Sequence, residues 1–427
     1  MDYNWSKILE AEIRPVKEEL EKRGRAKLAE MFDRCYRSTL ETTVELCGDG
    51  TTFVITGDIP AMWLRDSSAQ VRHYIPAARR HPEVAAMIEG VIRRQMAYIV
   101  ADPYANAFNR EANGKGHAGD RTEKTPLVWE RKYEIDSLCY PLHLAYDYWK
   151  EMGSTAWLDG NFALAAKAIV SLWRTEQRHE ESPYYFERVD CVPTDTLPRE
   201  GRGTPVAYTG MTWSGFRPSD DACTYGYLVP ANLFAAKALQ ELAELAETLL
   251  NDSELAVNAL ALRREILDGV NRHGTLEHPE FGQIYAYEVD GLGNYNLMDD
   301  ANVPSLLSLP YLGCSGKDNP VYQNTRAFVL SSANLYYYEG KVAKGIGSPH
   351  TPDQYIWHIA LSMQGLTADN DEEREELLDM LENTDAGTFQ MHEGFHCDDP
   401  SQYTRPWFAW ANSLFSEFVI EYLHLED

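Results

Sequence analysis

The chain has 427 residues, of which 44% are hydrophobic and 25% are charged, proportions typical of a soluble globular protein. Its 39 basic and 66 acidic residues give a net charge of −27, which disfavours nucleic acid and anionic membrane surfaces as partners because both require basic patches. The seven cysteines are scattered without a C-x-x-C pair, so free thiols in a reducing cytoplasm are expected.

Neither a targeting segment nor a membrane span is predicted. Residues 1–23 lack the apolar core of a signal peptide, and no apolar run approaches the ~20 residues of a membrane span. A cytoplasmic location is therefore expected. The length alone allows two domains or one large domain built from repeats.

The chain begins with helical periodicity. Apolar residues recur at helical spacing over residues 6–34 in two pieces separated by Gly24, and Pro15 allows a further break. Residues 51–56 (TTFVIT) then predict a strand or an extended lead-in to the next segment.

That segment, TGDIPAMWLRDSSAQVRHY (56–74), is the most informative in the chain. It predicts a turn followed by a helix, with Asp66, Ser67 and Ser68 as candidate N-caps. Trp63, Arg65 and Asp66 combine an aromatic face, a forked donor and a fixed acceptor. This set fits a polyol, since apolar sugar faces stack on rings and hydroxyls need donors and acceptors. An ion-paired helix start over a buried Trp is the alternative.

The same pattern recurs along the chain. Predicted helices open in acidic or aromatic clusters near residues 66, 136, 221, 300, 353 and 407. Each is apolar nearly all round, as an inner helix must be. Helices with a clearer polar face lie between them, near residues 82–102, 156–179, 253–271, 319–333 and 372–384. The fourth opening predicts a helix through Val303, Leu306, Leu307 and Leu309.

This quasi-repeat predicts an all-α fold, an (α/α)6 barrel with six inner and six outer helices. Residues 6–34 supply the sixth outer member, and residues 1–427 are expected to form one catalytic domain. An all-α bundle that does not close is the alternative. A βαβ fold is disfavoured because alternating strand runs are absent from the sequence.

Carboxylates occur at five of the six openings, which predicts a central acidic pit. Such crowding raises some pKa values, which suits a general acid, although any single Asp could be only a helix cap. The carboxylates expected to line the pit are Asp66, Glu134, Asp136, Asp220, Asp221, Asp299, Asp300 and Asp353.

A second cluster, QMHEGFH (390–396), matches the zinc-peptidase pattern H-E-x-x-H. Zinc peptidases place both histidines on one helix, but Gly394 and the following CDDP predict a loop here. A zinc site is therefore disfavoured. A loop glutamate at Glu393, flanked by His392 and His396, suits a base that orients water.

Four of these segments together resemble a known family: TGDIPAMWLRDS, SDDACTYGYLVPAN (219–232), MDDANVPSLLSLPYLG (298–313) and MHEGF (391–395). The chain is similar to glycoside hydrolase family 125, the bacterial and fungal exo-α-1,6-mannosidases, with a clostridial source expected. The resemblance covers residues 5–425. It implies an (α/α)6 barrel that releases terminal α-1,6-linked mannose with inversion, without a metal or other cofactor and without an obligate protein partner. Its substrates would be mannose-containing oligosaccharides such as N-glycan fragments.

The resemblance also implies roles for individual residues. Asp220 would be the general acid and Glu393 the general base. Arg65, Asp66, Asp136 and Asn302 would bind the terminal mannose. Beside these carried-over roles, Trp63, Asp221 and His392 are also expected to bind the substrate. At a helix start Asp220 and Asp221 would point about 100° apart, so only one of them could face the substrate. The sequence pattern does not choose between the two.

Three other functions remain open at this point. Another glycosidase or a lyase could use the same toroid, and preference for other sugars would reveal it. A carbohydrate-binding protein would bind without hydrolysis. A zinc peptidase would contain stoichiometric zinc.

Overall fold

Helices carry most of the regular structure of residues 4–424, which are the residues described by the computed structural model. They are α1 (Trp5–Lys22), α2 (Ala26–Thr42), α3 (Leu64–Arg72), α4 (Ile75–Ala78), α5 (Pro82–Ala101), α6 (Ile135–Met152), α7 (Gly160–Glu176), α8 (Pro198–Gly201), α9 (Val229–Leu245), α10 (Ser253–His273), α11 (Pro320–Val329), α12 (His358–Leu366), α13 (Asp371–Asn383) and α14 (Ala409–Leu423).

Short strands lie between the helices and form six small antiparallel sheets within residues 4–424. They are β1 (Val44–Leu46), β2 (Thr52–Val54), β3 (Met62–Trp63), β4 (Ala107–Phe108), β5 (Val128–Glu130), β6 (Tyr227–Leu228), β7 (Thr275–His278), β8 (Gly282–Tyr285), β9 (Glu288–Val289), β10 (Tyr295–Asn296), β11 (Tyr337–Glu339), β12 (Lys344–Ile346), β13 (Tyr355–Trp357), β14 (Gly394–His396) and β15 (Asp399–Tyr403). The strand predicted at 51–56 is β2.

The inner ring is formed by α3, α6, α9, α12 and α14, with one non-helical segment in the sixth place. α14 packs on α3, α3 on α6, α6 on α9, and α12 on α14. These helices are buried over most of their length, as expected for elements enclosed on all sides. The predicted toroid is therefore confirmed, apart from that one segment.

The exception is residues 301–315, where the predicted fourth inner helix is replaced by turns. Pro304 and Pro310 interrupt the segment, and proline has no backbone N–H to donate within a helix. The Asp299 carboxylate accepts the backbone N–H groups of Leu306 at 2.8 Å and Leu307 at 3.0 Å, holding the turn shape. The Tyr140 hydroxyl in α6 donates to the carbonyl of Val303 at 3.1 Å, which fixes the segment to the ring.

The outer ring is formed by α2, α5, α7, α10, α11 and α13. α13 shows why such a helix lies outside: it buries only Leu377, Leu378 and Leu381 and starts with three acidic residues, which favour a helix N-terminus. The sequence predicted residues 6–34 as the sixth outer helix. In the structure that outer helix is α2, and α1 packs against it. The chain breaks near Gly24, whose φ is +79°, whereas Pro15 lies inside α1.

The predicted helix starts need correction. α3 begins at Leu64, so Asp66, Ser67 and Ser68 lie within its first turns and are not N-caps. The Ser68 hydroxyl instead donates to the Leu64 carbonyl at 2.9 Å. Two- or three-residue strands lead directly into α3, α9 and α12, so Asp220 and Asp221 lie in the loop before α9. The helical 100° argument therefore does not apply to that pair.

The packing of α12 on α14 leads to a first prediction. Gly365 faces Phe418, and a Cβ at this position would lie 2.2–2.6 Å from three ring atoms. Gly365→Ala is expected to destabilise the fold by about 1–3 kcal/mol, because the two inner helices must separate. A lower urea midpoint would show this. Gly160→Ala in α7 is the matched control, since nothing lies within 4 Å of its Cβ position, and it should cost nothing. Equal midpoints for the two variants would contradict the prediction.

Within residues 4–424, every helix is too short or too polar to pass through a lipid bilayer.

Candidate active site

A cavity of about 360 Å³, its open mouth included, lies at the end of the ring where α3 and α14 begin. Six residues predicted for the site line it: Trp63, Arg65, Asp66, Asp220, Asn302 and Glu393. Other lining residues were not predicted and come mostly from loops: Thr56, Ile59, Pro218, Ser219, His350, Trp357, Arg405, Phe408 and Trp410. Sequence segments far apart thus converge on one pit.

Arg65 is the centre of the polar wall. Its Nη1 donates to Glu134 Oε2 at 2.5 Å and to Asp136 Oδ2 at 3.1 Å. Its Nη2 donates to Asp220 Oδ1 at 3.3 Å, and its Nε lies 3.5 Å from Asp66 Oδ2. The planar fork of arginine lets one side chain hold four carboxylates in fixed directions.

Burial and mutual repulsion change the acidity of this cluster. Burial, opposed by Arg65 and reinforced by Asp220, raises the pKa of the Asp66 carboxyl to about 6. Burial likewise raises the pKa of Glu134 well above its usual range, with Asp220 and Asp136 adding to the effect. For Asp220 burial acts upward as well, but Arg65, a hydrogen bond with Glu134, Lys132 and His350 hold its pKa below the usual range.

Asp220 reaches the cavity because of a local turn. Its φ is +67°, a left-handed conformation that short polar residues such as Asp tolerate. Its backbone N–H donates to the Arg217 carbonyl at 2.9 Å, and the Arg217 N–H donates to the Asp221 carbonyl at 2.8 Å. Lys132 Nζ donates to the Asp220 carbonyl at 2.7 Å. The turn points the Asp220 side chain into the pit, where it is 28% exposed.

Asp221 faces a different partner. Its Oδ1 lies 3.0 Å from Nδ1 of His350, and its side chain is only 5% exposed. Burial lowers the pKa of His350, but Asp221, Glu393 and Asp220 outweigh it and raise that pKa to about 9. His350 is therefore an imidazolium at neutral pH and donates to Asp221. The structure thus separates the two adjacent aspartates, which sequence reasoning could not do.

Glu393 lies directly before β14 and next to β13. The pairing of Gly394 with Trp357 holds Glu393 in the wall of the cavity, which it lines together with Arg65. Its Oε1 is 3.5 Å from Nη1 of Arg405, whose Nη2 also donates to Asp58 Oδ1 at 2.5 Å. The contact with Arg405 fixes the direction of the Glu393 carboxylate, and a general base has to be positioned in this way.

Aromatic rings form the rest of the wall. Trp63, Trp357, Phe408 and Trp410 all line the cavity. The rings of Phe408 and Trp410 lie 6.3 Å apart in an edge-on arrangement. Rings beside a dense set of donors and acceptors suit one face of a sugar, since its C–H groups stack while its hydroxyls bond.

Several residues predicted for the pit lie elsewhere. Asp136 is fully buried behind Arg65, and Asp221 lies behind His350. His392 is also fully buried, with Nε2 3.1 Å from Thr388 Oγ1. Asp353 is exposed at the surface, five residues ahead of α12. Asp299 and Asp300 are buried beneath the cavity lining, where Asp300 accepts the Ser219 hydroxyl at 3.0 Å.

The H-E-x-x-H match does not form the helix that a zinc peptidase needs, because Gly394–His396 is strand β14. Nδ1 of His396 accepts the Asp398 backbone N–H at 3.1 Å, so it is engaged locally. The zinc-peptidase alternative is therefore wrong, because it requires His392 and His396 to lie on one helix.

One other group of residues within 4–424 has the composition of a metal site. Ligand atoms of His143, Asp147 and Glu241 lie within 4.8 Å of one another. Arg72 Nε already donates to Asp147 at 3.1 Å, and Lys237 Nζ lies 3.1 Å from Glu241. Because both carboxylates are neutralised by these cations, the group is a buried ion-pair network that ties α3, α6 and α9 together.

Comparison with known proteins decides the family. Residues 25–420 match the family model described as metal-independent alpha-mannosidase, GH125. The chain belongs to this family. It is therefore a glycoside hydrolase of the α-mannosidase class, and the resemblance seen in the sequence is confirmed. The alternative of a protein that binds sugar without catalysis finds no support in this membership.

Two relatives of the GH125 chain span nearly its whole length. A Streptococcus pneumoniae metal-independent α-mannosidase, solved in a non-productive complex with α-1,6-mannobiose, is 48% identical, with a TM-score of 0.96 over 98% of this chain and 99% of its own. The meiotically up-regulated gene 157 protein of Schizosaccharomyces pombe is 40% identical over 98% of this chain and 86% of its own. A clostridial source stays a prediction.

More distant structures share only the fold. A bacterial glucoamylase solved with acarbose is 14% identical, with a TM-score of 0.59 over 94% of this chain and 56% of its own. This similarity agrees with the predicted (α/α)6 barrel.

Proposed function

We propose that this GH125 chain is an inverting exo-α-1,6-mannosidase, with Asp220 as general acid and Glu393 as general base. The observation that carries the proposal is that both carboxyl groups line one cavity together with Arg65 and Asp66. The pneumococcal relative that binds α-1,6-mannobiose supports the linkage. Its substrates would be mannose oligosaccharides such as fragments of N-linked glycans, whose processing is associated with that relative.

Each polar group has a defined task in this mechanism. Arg65, Asp66 and Asn302 would bind the hydroxyls of the terminal mannose, and Trp63 would contact its apolar face. Asp136 and Asp221 act one step removed, through Arg65 and His350 respectively. His392 supports the loop that carries Glu393, because its ring stacks on Tyr403 with centroids 3.9 Å apart.

The reaction moves two protons. Asp220 gives its proton to the glycosidic oxygen as the C1–O bond breaks. Glu393 takes a proton from the water whose oxygen attacks C1 from the opposite face, past an oxocarbenium-like transition state. Inversion requires carboxyl groups about 6.5–9.5 Å apart so that this water fits between base and sugar. Separate loops can provide that separation, and adjacent residues cannot.

We also propose that residues 1–427 form one catalytic domain and that the protein acts in the cytoplasm. The family match over residues 25–420 supports one domain. All seven cysteines are free thiols, which suits a reducing compartment.

NMR of the first-formed sugar tests the activity. We expect hydrolysis of α-1,6-mannobiose to release β-mannose first, with the α anomer appearing only by mutarotation, and we expect EDTA to leave the rate unchanged. α-Mannose as the first product would contradict inversion. No release from this disaccharide, with release from α-1,2- or α-1,3-mannobiose, would contradict the linkage.

A further inference from the structure

The Arg65 cluster holds more negative charge than its cation can balance. Asp66, Glu134, Asp136 and Asp220 all approach this one guanidinium, and each is buried except for the Asp220 side chain at 28% exposure. The other nearby cations are committed elsewhere: Lys132 to Asp195, His350 to Asp221 and Arg405 to Asp58. Ionising four buried carboxylates beside one arginine is unfavourable, so the cluster keeps at least one proton at neutral pH.

The geometry favours Glu134 as the resting holder of that proton. Its side chain has no exposed surface, whereas Asp220 opens to the solvent of the cavity. An ionised carboxylate is better solvated at the open position. The Glu134 and Asp220 carboxyl groups lie within hydrogen-bond reach of each other, and Asn106 Nδ2 faces both, at 3.5 Å from Glu134 Oε1 and 3.4 Å from Asp220 Oδ1.

We propose that Glu134 is a positioning residue that stores the proton which Asp220 delivers to the leaving group. This inference rests on the proposed role of Asp220 as general acid. Glu134 gives its proton to Asp220, Asp220 gives one to the glycosidic oxygen, and Glu393 takes one from the attacking water. Solvent later removes the proton from Glu393 and returns one to the pair. Neither an oxidant nor another reactant is needed.

Substrate binding supplies the trigger. The exposed part of the Asp220 side chain faces the cavity, so a bound sugar removes the water that solvates its charge. Loss of that solvation favours the neutral form of Asp220 and draws the proton across from Glu134. Asp220 is thus protonated only when a leaving-group oxygen lies beside it. This explains how a residue whose pKa is low in the empty cavity can act as the general acid.

Other titratable groups surround the pair and set its pH range. Arg65 lies between the two, and Ser137 Oγ donates to Glu134 Oε2 at 2.8 Å. The remaining charged or titratable groups that face Glu134 or Asp220 are Asp66 from α3, Glu130 and Lys132 from β5 and its exit, Asp136 from α6, Cys223 from the loop before α9 and His350 from the loop after β12.

Glu134→Gln tests the inference. In the native protein, Glu134 and Asp220 share one proton, and they hold it tightly because its loss leaves two negative carboxylates beside each other. With Gln, only Asp220 titrates, and Arg65 keeps its pKa low, so the acid form exists only at lower pH. We expect the alkaline limb of kcat/KM on α-1,6-mannobiose to move to lower pH by about one unit or more, with about 10²-fold loss at neutral pH.

A second substrate separates this role from a structural one. 2,4-Dinitrophenyl α-mannoside has a leaving group that needs no protonation, so Glu134→Gln should hydrolyse it at about the native rate. Asp136→Asn is the matched control, since it removes a fully buried carboxylate from the same Arg65 Nη1 without a hydrogen bond to Asp220. Because the charge of Asp136 also raises the pKa of Glu134, Asp136→Asn should move the alkaline limb in the same direction but by less than Glu134→Gln does.

Two results would overturn the inference: equal losses on both substrates with an unmoved limb, or the same shift in both variants. Ser137→Ala gives an independent reading if Glu134→Gln fails to fold. It removes the hydroxyl that stabilises ionised Glu134, so the limb should move to higher pH, and an unmoved limb would count against the inference. Full activity of Asp220→Asn on α-1,6-mannobiose would instead show that Asp220 is not the general acid, which is the assignment on which this inference rests.

Discussion

Glu393→Gln is expected to lower kcat on α-1,6-mannobiose by about 10²–10⁴-fold, the usual contribution of a general base. The amide has the same shape as the carboxylate, so the cavity and the contact with Arg405 should persist. It cannot accept a proton from the attacking water, however. Initial rates of mannose release, measured beside a thermal melt to confirm folding, would check this result.

Azide provides the sharper part of that experiment. Azide is already an anion and needs no base, so it should restore turnover of 2,4-dinitrophenyl α-mannoside by the variant and yield β-mannosyl azide. Glu18→Gln, an exposed glutamate on α1, is the matched control and should behave as the native enzyme does, with no response to azide. Near-normal turnover by Glu393→Gln without azide would remove Glu393 as the base.

Much of the fold could be predicted because the ring repeats one simple event. Inner helices are apolar all round and outer helices have a polar face, and that difference is visible in sequence. The turn segment at 301–315 was missed because its leucines have helical spacing. Pro304 and the Asp299 carboxylate outweigh that spacing, and the second effect depends on a side chain's direction in the folded protein.

The short strands before α3, α9 and α12 were missed for a related reason. Each has two or three residues, and its pairing partner is distant in sequence, as with Trp357 and Gly394. Strands this short are stabilised by tertiary context and carry almost no pattern of their own. Their effect on the site is large, because they displace Asp220, Asp221 and Asp353 from the helix N-termini where sequence reasoning put them.

The site itself was predicted where carboxylates stood beside helix starts or in recognised motifs. His350 and Arg405 were missed because each lies in a loop and is tied to the site only by a contact that forms on folding. His350 contacts Asp221, and Arg405 contacts Glu393. The signals available were weak: a His after Ser-Pro in GSPHTPD, and an Arg before Pro-Trp in TRPW. Neither pattern differs from ordinary loop sequence, so only the folded geometry identifies these two cations as part of the pit.

Comparing Asp220→Asn with Asp221→Asn decides which of the two adjacent aspartates is the general acid. Asp220→Asn should lower kcat/KM on α-1,6-mannobiose by about 10²–10⁴-fold, because the leaving oxygen then departs without a proton. The same variant should retain nearly native turnover of 2,4-dinitrophenyl α-mannoside, whose leaving group is stable as an anion. Initial rates on the two substrates give the required ratio.

Asp221→Asn should act differently because its carboxylate supports His350 and does not face the pit. Loss of that charge lowers the pKa of His350 from about 9 towards its usual value, so the imidazolium is lost at neutral pH. Activity should then fall by a similar factor on both substrates and recover in part at lower pH, where His350 is protonated again. The reverse pattern, with leaving-group dependence in Asp221→Asn alone, would transfer the acid role to Asp221, since of these two variants the one that lacks the acid should keep its activity on a leaving group that needs no proton.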